Sequence, residues 1–182
     1  MKEAVAVARR CLCLELLHQR LGLETDTEDA MADREGVRKA WLSRLGTLQV
    51  DDALLPDERS FLERPVGELQ EGDLDDLEGR ASGTLVFLWA LGRLPARPSF
   101  AAVAEMETVI ATHGLLGDGS ISKANEAAER ASLLSEDELR SALSAYEKLR
   151  GKAKEPSEPE KIVAMIAAHH LAWIVDPDAA FA

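Results

Sequence analysis

Four histidines, His18, His113, His169 and His170, and two cysteines, Cys11 and Cys13, are the side chains here best suited to bind a metal. Zinc-binding helices use histidines one turn apart, whereas the adjacent His169 and His170 would point about 100° away from each other on a helix. That spacing predicts no shared metal, with one histidine packed partly buried beside Trp173 and the other facing solvent. Cys11 and Cys13 lie two residues apart, about 200° around a helix, and cannot bridge each other. They read as small apolar side chains of a reducing compartment. No metal and no cofactor is expected.

Acidic side chains are far more numerous, 33 against 21 Lys and Arg. General acid catalysis needs a carboxyl sheltered enough for its pKa to rise, and these acids fall on polar helix faces, caps and loops. EGDLDDLEG, residues 71–79, lacks the alternating ligand positions, central glycine and terminal glutamate of a calcium loop. GDGS, residues 117–120, lacks the downstream Lys and Ser or Thr of a phosphate loop and reads as a turn. No GxSxG elbow or activated thiol appears.

Two classes of function remain. One is a protein-binding module, an adaptor, accessory subunit or immunity-like inhibitor, whose acidic surface meets a basic protein. The other is an enzyme of unrecognised class with a pocket between helices. The charge pattern favours the first. Residues 65–76 contain three Gly or Pro positions and read as an exposed loop, and residues 68–78 carry six acids and no base. Asp73, Asp75, Asp76 and Glu78 are therefore the expected partner-binding residues, placed to steer a basic partner. The apolar surface around Phe61 and Phe181 is the alternative interface.

A formal net charge of -12 argues against nucleic acid, whose affinity comes from Lys and Arg displacing counterions. An anionic membrane surface is disfavoured for the same reason. The first 21 residues begin basic and turn apolar like a signal peptide, but Arg9, Arg10, Glu15, His18, Gln19 and Arg20 interrupt them and no small-residue cleavage site follows. A cytoplasmic protein is expected.

The elements that must position these groups read as helices. Aromatic residues make up only 4% while Ala, Leu, Glu and Arg recur, and strand signals are absent. The expected fold is all-α, a single domain over residues 1–182 with six to eight helices around a hydrophobic central helix. Residues 84–91 supply that helix: TLVFLWAL is apolar on nearly every face, extends the helical register of LDDLEGRAS and ends at Gly92, Arg93 and Pro95. At eight residues it is far short of the roughly 20 a bilayer span requires.

Around it, residues 2–21 form an amphipathic helix stopped at Gly22, burying Leu12, Leu16, Leu17 and Leu21 with Arg9, Glu15 and Arg20 outside. Thr25 and Glu28 form a capping box for a second helix that turns Met31, Val37, Trp41, Leu42 and Leu45 inward. Pro56 opens a short helix anchored by Phe61 and Leu62, with Asp57 and Glu58 at its positive end. Further helices follow: one with Phe100, Val103, Met106, Val109 and Ile110 inside, and a shorter one over residues 121–130. Next comes one capped by Ser135 and Glu138 with a stripe of Leu139, Ala142, Leu143, Tyr146 and Leu149. Residues 152–160, charged and proline-bearing, read as a flexible connector. Ser157 and Glu160 cap a last helix over residues 161–175, which buries Ile162, Ile166, Trp173 and Ile174.

FLWALGRLP preceded by Arg80, PDERSFLERP before it and a late apolar helix ending HHLAW together resemble the bacterial domain-of-unknown-function family 4272. The resemblance runs from about residue 9 to residue 173, and its signature positions are Arg80, Trp89, Leu91, Gly92 and Trp173. Family members carry an acid two residues after the Arg, where this chain has Ser82. They also carry an acid and an Arg ahead of the closing Trp, where it has Ile166, Ala167 and Ala168. The resemblance implies a helical fold and no activity.

Overall fold

The computed structural model describes residues 1–26, 29–99, 105–117, 119–152, 159–179 and 181, without the side chains of residues 151, 152 and 159. The described residues are all helix, turn and loop, with no strand among them. The helices are α1 (Ala4–Thr25), α2 (Met31–Leu42), α3 (Leu45–Leu48), α4 (Pro56–Glu63), α5 (Glu71–Ala81), α6 (Thr84–Ala90), α7 (Met106–His113), α8 (Ile121–Glu129), α9 (Glu136–Lys152) and α10 (Pro159–Val175). They outnumber the six to eight expected, partly because Leu45–Leu48 closes a short turn of its own.

Helix α1 packs against α2, α4, α5, α6 and α8, so almost its whole girth is interior. Leu12, Leu14, Leu16 and Leu17 are buried, whereas Leu21 and Leu23 near its end are half-buried. Two expectations fail here. Gly22 does not stop α1: the backbone continues, and Thr25 Oγ1 donates back to the carbonyl of Leu21 at 3.1 Å. Arg9, Glu15 and Arg20 are not outside either, being 8%, 0% and 0% exposed. A helix surrounded on so many sides has no fully solvated face, and its charges are interior groups with fixed partners.

All seven residues of α6 are buried, and it packs on α1, α7 and α10. Trp89 and Leu91 are both 7% exposed. Gly92 adopts φ +69°, a left-handed turn that an L side chain would strain, while its N–H and that of Arg93 return to the carbonyls of Trp89 and Leu88. The register with LDDLEGRAS is interrupted at Ser82 and Gly83, between α5 and α6. A Cβ on Gly83 would lie 2.1 Å from Nε2 of His170, so the break lets α10 approach closely.

The largest departure concerns residues 65–76, expected as a loop. From Glu71 onward the chain is helical. Asp73 accepts the backbone N–H of Gln70 at 2.9 Å and so caps the helix start, acids sit in the first turn and Arg80 in the last, and Leu77 and Ala81 are fully buried. Gly72 and the acid density mask this in the sequence. In α2, Met31 and Val37 are 51% and 42% exposed rather than inward. This peripheral helix is instead tied down by Arg38, which donates to the carbonyls of Leu62 and Glu63.

The capping box of Ser135 and Glu138 is present, with Glu138 N–H on Ser135 Oγ at 3.3 Å and Ser135 N–H on Glu138 Oε2 at 3.0 Å. Leu139, Ala142 and Tyr146 are buried below it, whereas Leu149 is 52% exposed. Helix α10 buries Ala164, Ala167, Ala168, Leu171 and Ile174, a stripe of small residues that lets it lie close along α9 and α6. Ile162 is consequently 44% exposed, and Ile166 and Trp173 only half-buried. Met106 and Ile110 are buried in α7. Phe100, Val103, Glu28, Ser157 and residues 153–158 of the expected connector lie outside the described residues.

Candidate functional site: the cleft between α5 and α10

The stripe that faces α10 inward leaves its next row, Ile162, Met165, Ile166 and His169, over a cleft of about 670 Å3. Asp75, Asp76, Gly79 and Arg80 of α5 form the opposite wall, Glu147 and Arg150 of α9 close one end, and Arg10 and Phe181 form the inner end. Of the acids expected to meet a partner, the structure brings Asp75 and Asp76 to this cleft. Asp73 does not reach it; its carboxylate is held by the Gln70 N–H and by Arg64 at 2.7 Å. Glu78 is exposed but does not line the cleft.

Electrostatically the inner end is a fixed lattice. Arg10 of α1 makes a two-pronged, fully buried ion pair with Glu58 of α4 and donates to the Ala53 carbonyl at 2.9 Å. Glu58 also accepts the Leu55 N–H at 3.0 Å, so one carboxylate caps α4 and fixes α1. Arg80 reaches Asp57 at 2.6 Å, Asp76 at 3.1 Å and Glu58 at 3.6 Å. Arg80, a signature position of the sequence, thereby ties α5 to α4. The other signature positions lie elsewhere: Trp89 on α6, Leu91 and Gly92 in the turn that ends it, and Trp173 beside Phe181.

His170 is 5% exposed and His169 is exposed, matching the expected division between them. Burial, reinforced by the neighbouring His169 and Arg10, pushes His170 down to about 3, so it is neutral at physiological pH. Its Nδ1 has no hydrogen-bond partner among the described residues. His169 sits 5.2 Å from it, ring to ring, and among the described residues no three His, Cys, Asp or Glu side chains gather around a point that could hold a metal ion.

A second cleft, about 800 Å3, opens between α1, α2 and α7 over Glu15. Glu15 accepts the N–H groups of Leu115 and Leu116 at 2.7 and 2.8 Å and the Cys11 thiol at 3.7 Å. Burial raises its pKa, and the two backbone donors oppose the rise. Gly114 is pressed into the same turn, where a Cβ would lie 3.0 Å from the Glu15 carboxylate. Glu15 is thus committed to holding the turn after α7. Burial also pushes Cys13 up to about 12 and Cys11 well above its ordinary value, which leaves both thiols protonated.

Arg10 and Met165 line the cleft and Glu58 holds Arg10 behind it, none of them expected there, whereas Phe181, expected in an alternative apolar interface, does line it. The available signals were slight: an Arg pair inside an apolar segment, and a glutamate three residues into a proline-led helix. Phe61, weighed as part of an exposed interface, is 5% exposed and belongs to the core. No helix among the described residues is long and apolar enough to cross a membrane. No protein-family model matches the chain, and no curated protein or solved structure matches it.

Proposed function

We propose that this protein is a protein-binding module whose α5–α10 cleft receives a basic, amphipathic segment of its partner. The carrying observation is the exposure of Ile162 and Met165, 44% and 52%, on a cleft whose charged lining includes Asp75 and Glu147, with Asp76 paired to Arg80 and with Arg150 at one end. Large apolar side chains left open to water between charged walls suit a helix laid into a groove, with apolar anchors below and Lys or Arg toward the rim. The net charge of -12 supports fast encounter with such a partner. The enzyme reading draws less support from the same cleft, because His170 is held near 3 and is a poor base at neutral pH.

The same reading takes α6 as the central helix of the fold, supported by the burial of every residue in it. It keeps the chain beside family 4272 through Arg80, Trp89, Leu91, Gly92 and Trp173, and takes two buried free thiols as support for a cytoplasmic setting. The test is capture from native lysate with the wild type and with the double variant Ile162→Glu, Met165→Glu, which alters only exposed positions. Loss of a stoichiometric partner in the variant is the expected result. Equal recovery by both would remove the cleft from the interface, and recovery of no partner by the wild type would sink the module reading.

A further inference from the structure

At the inner end of the cleft, Phe181 stands between that cavity and a second one of about 500 Å3, lined by Ala6, Gln49, Asp52, Leu55 and Trp173, with Arg10 bordering both. Its ring occupies a seat assembled from three helices. The guanidinium of Arg10 on α1 lies 3.9 Å from the ring centroid. His170 of α10 stacks on it at 5.4 Å and 19°, Trp173 meets it edge-on at 5.2 Å and 76°, and Phe87 of α6 lies 6.3 Å away. Glu58 holds the Arg10 guanidinium in place over the ring.

Most of the seat is buried more deeply than its occupant. Arg10 and Phe87 are 2% and 0% exposed and His170 is 5% exposed, whereas Phe181, like Trp173 at its edge, is only half-buried. Phe181 belongs to a short segment after α10 whose backbone, among the described residues, is held by Lys2, whose Nζ donates to the carbonyls of Pro177 and Ala179 at 2.6 and 2.8 Å. Beneath the ring, the buried Nδ1 of His170 has no hydrogen-bond partner among the described residues, so His170 meets Phe181 through its ring face alone.

We infer that this seat is a binding subsite for an aromatic side chain, which Phe181 fills in cis and which an aromatic residue of the incoming partner segment takes over. The inference rests on the protein-binding reading for its natural ligand, but the seat's affinity for a ring does not. A tethered competitor lowers the apparent affinity of a free ligand by the fraction of time the seat is empty. Withdrawal of Phe181 would join the two cavities, giving a groove with Arg10 and His170 at its centre.

The probe is N-acetyl-phenylalaninamide, titrated into the full chain while the side-chain NMR signals of His170 and Trp173 are followed. For Phe181→Ala we expect saturable shifts at a probe concentration about tenfold or more below that needed for the wild type. N-acetyl-leucinamide, apolar but ringless, should bind the variant on the order of fivefold more weakly, since it forgoes the guanidinium and ring contacts. Absence of saturable binding, or equal binding of the two amides, overturns the inference. Should Phe181→Ala lose its helical circular dichroism, Phe181→Leu keeps an apolar anchor and is titrated in its place; it must show tighter probe binding than the wild type, and failure to do so counts against the seat. Probe binding with no captured partner would leave the seat standing and the protein-binding reading fallen. Partner capture with no probe binding would do the reverse.

Discussion

Helices α1 and α5 lie against each other and both are rich in charge, yet they treat it in opposite ways. In α1 each buried charge answers a particular backbone or side-chain group of another element. Arg9 donates to the Leu48 carbonyl and to Asn125, Arg10 holds Glu58, Glu15 accepts two N–H groups of the turn after α7, and Arg20 gathers the carbonyls of Phe61, Arg64 and Pro65. These groups are the loose ends of turns and helix termini, which would be costly to bury without a partner. In α5 the acids are partly or fully exposed: Asp73 caps its own helix and pairs with Arg64, Asp76 pairs with Arg80 one turn on, and Asp75 and Glu78 stand in water. Interior charge here is a set of stitches between turns, and surface charge is what remains to meet something else.

The sharpest way to break that comparison is to cut a stitch. Glu58→Ala should lower stability by about 3–5 kcal/mol, because it strands a buried guanidinium and also removes the cap on Leu55. The paired replacement Arg10→Met, Glu58→Leu should recover much of the loss, since removing both charges avoids an uncompensated one. Urea denaturation reads both. A loss in Glu58→Ala no larger than that of a surface substitution would place the charges of α1 in the same class as those of α5.

Glu35 on α2 tests the ground between the two regimes. Hydrogen bonds from Arg38 draw its carboxyl down to about 2 against the opposing effect of burial, with help from the Val66 N–H and Lys39. A carboxyl whose pKa is lower folded than unfolded stabilises the protein above its ordinary value of 4.5, and this contribution disappears as the pH falls toward 2. Wild-type stability should therefore decline across that window. In Glu35→Gln the decline should be shallower, with a loss at neutral pH of about 1–2 kcal/mol for partly exposed, charge-assisted bonds. Parallel acid limbs in thermal melts of the two proteins would show that Arg38 holds α2 without Glu35.

The comparison also explains what was legible in the sequence. Apolar periodicity located α1 and α9, Pro56 and the acids after it located α4, an unbroken apolar run located α6, and the Ser135–Glu138 capping box marked the start of α9, because such signals are local to one helix. The fate of Arg9, Glu15 and Arg20 was not legible, since a charge at a helical interval looks solvated unless the turn that needs it is known, and those turns lie 39 to 101 residues away. Helix α5 was hidden by Gly72 and by acids whose local role is capping. Half of the cleft was visible as Asp75 and Asp76. The other half, Ile162 and Met165, was assigned elsewhere or passed over, because an apolar residue on a helix reads as core until a neighbouring stripe of alanines is seen to take that place.

The smallest effect separates two acids that the sequence treats as equivalents. Asp73 caps α5 through the Gln70 N–H and pairs with Arg64, and its pKa is lowered by those same contacts, Arg64 foremost. Asp75, two residues on, is exposed on the cleft wall and has no ion pair among the described residues. Asp73→Asn should lower the thermal midpoint by roughly 2–4 °C, the scale of a weakened helix cap in a domain of this size, and leave partner association unchanged. Asp75→Asn should leave the midpoint where it is, slow association with the captured partner and flatten its dependence on salt, because a rim charge acts on encounter rather than on the fold. If the two substitutions gave the same pair of outcomes, α5 would have no division between structural and partner-facing charge, and the contrast with α1 would reduce to burial alone.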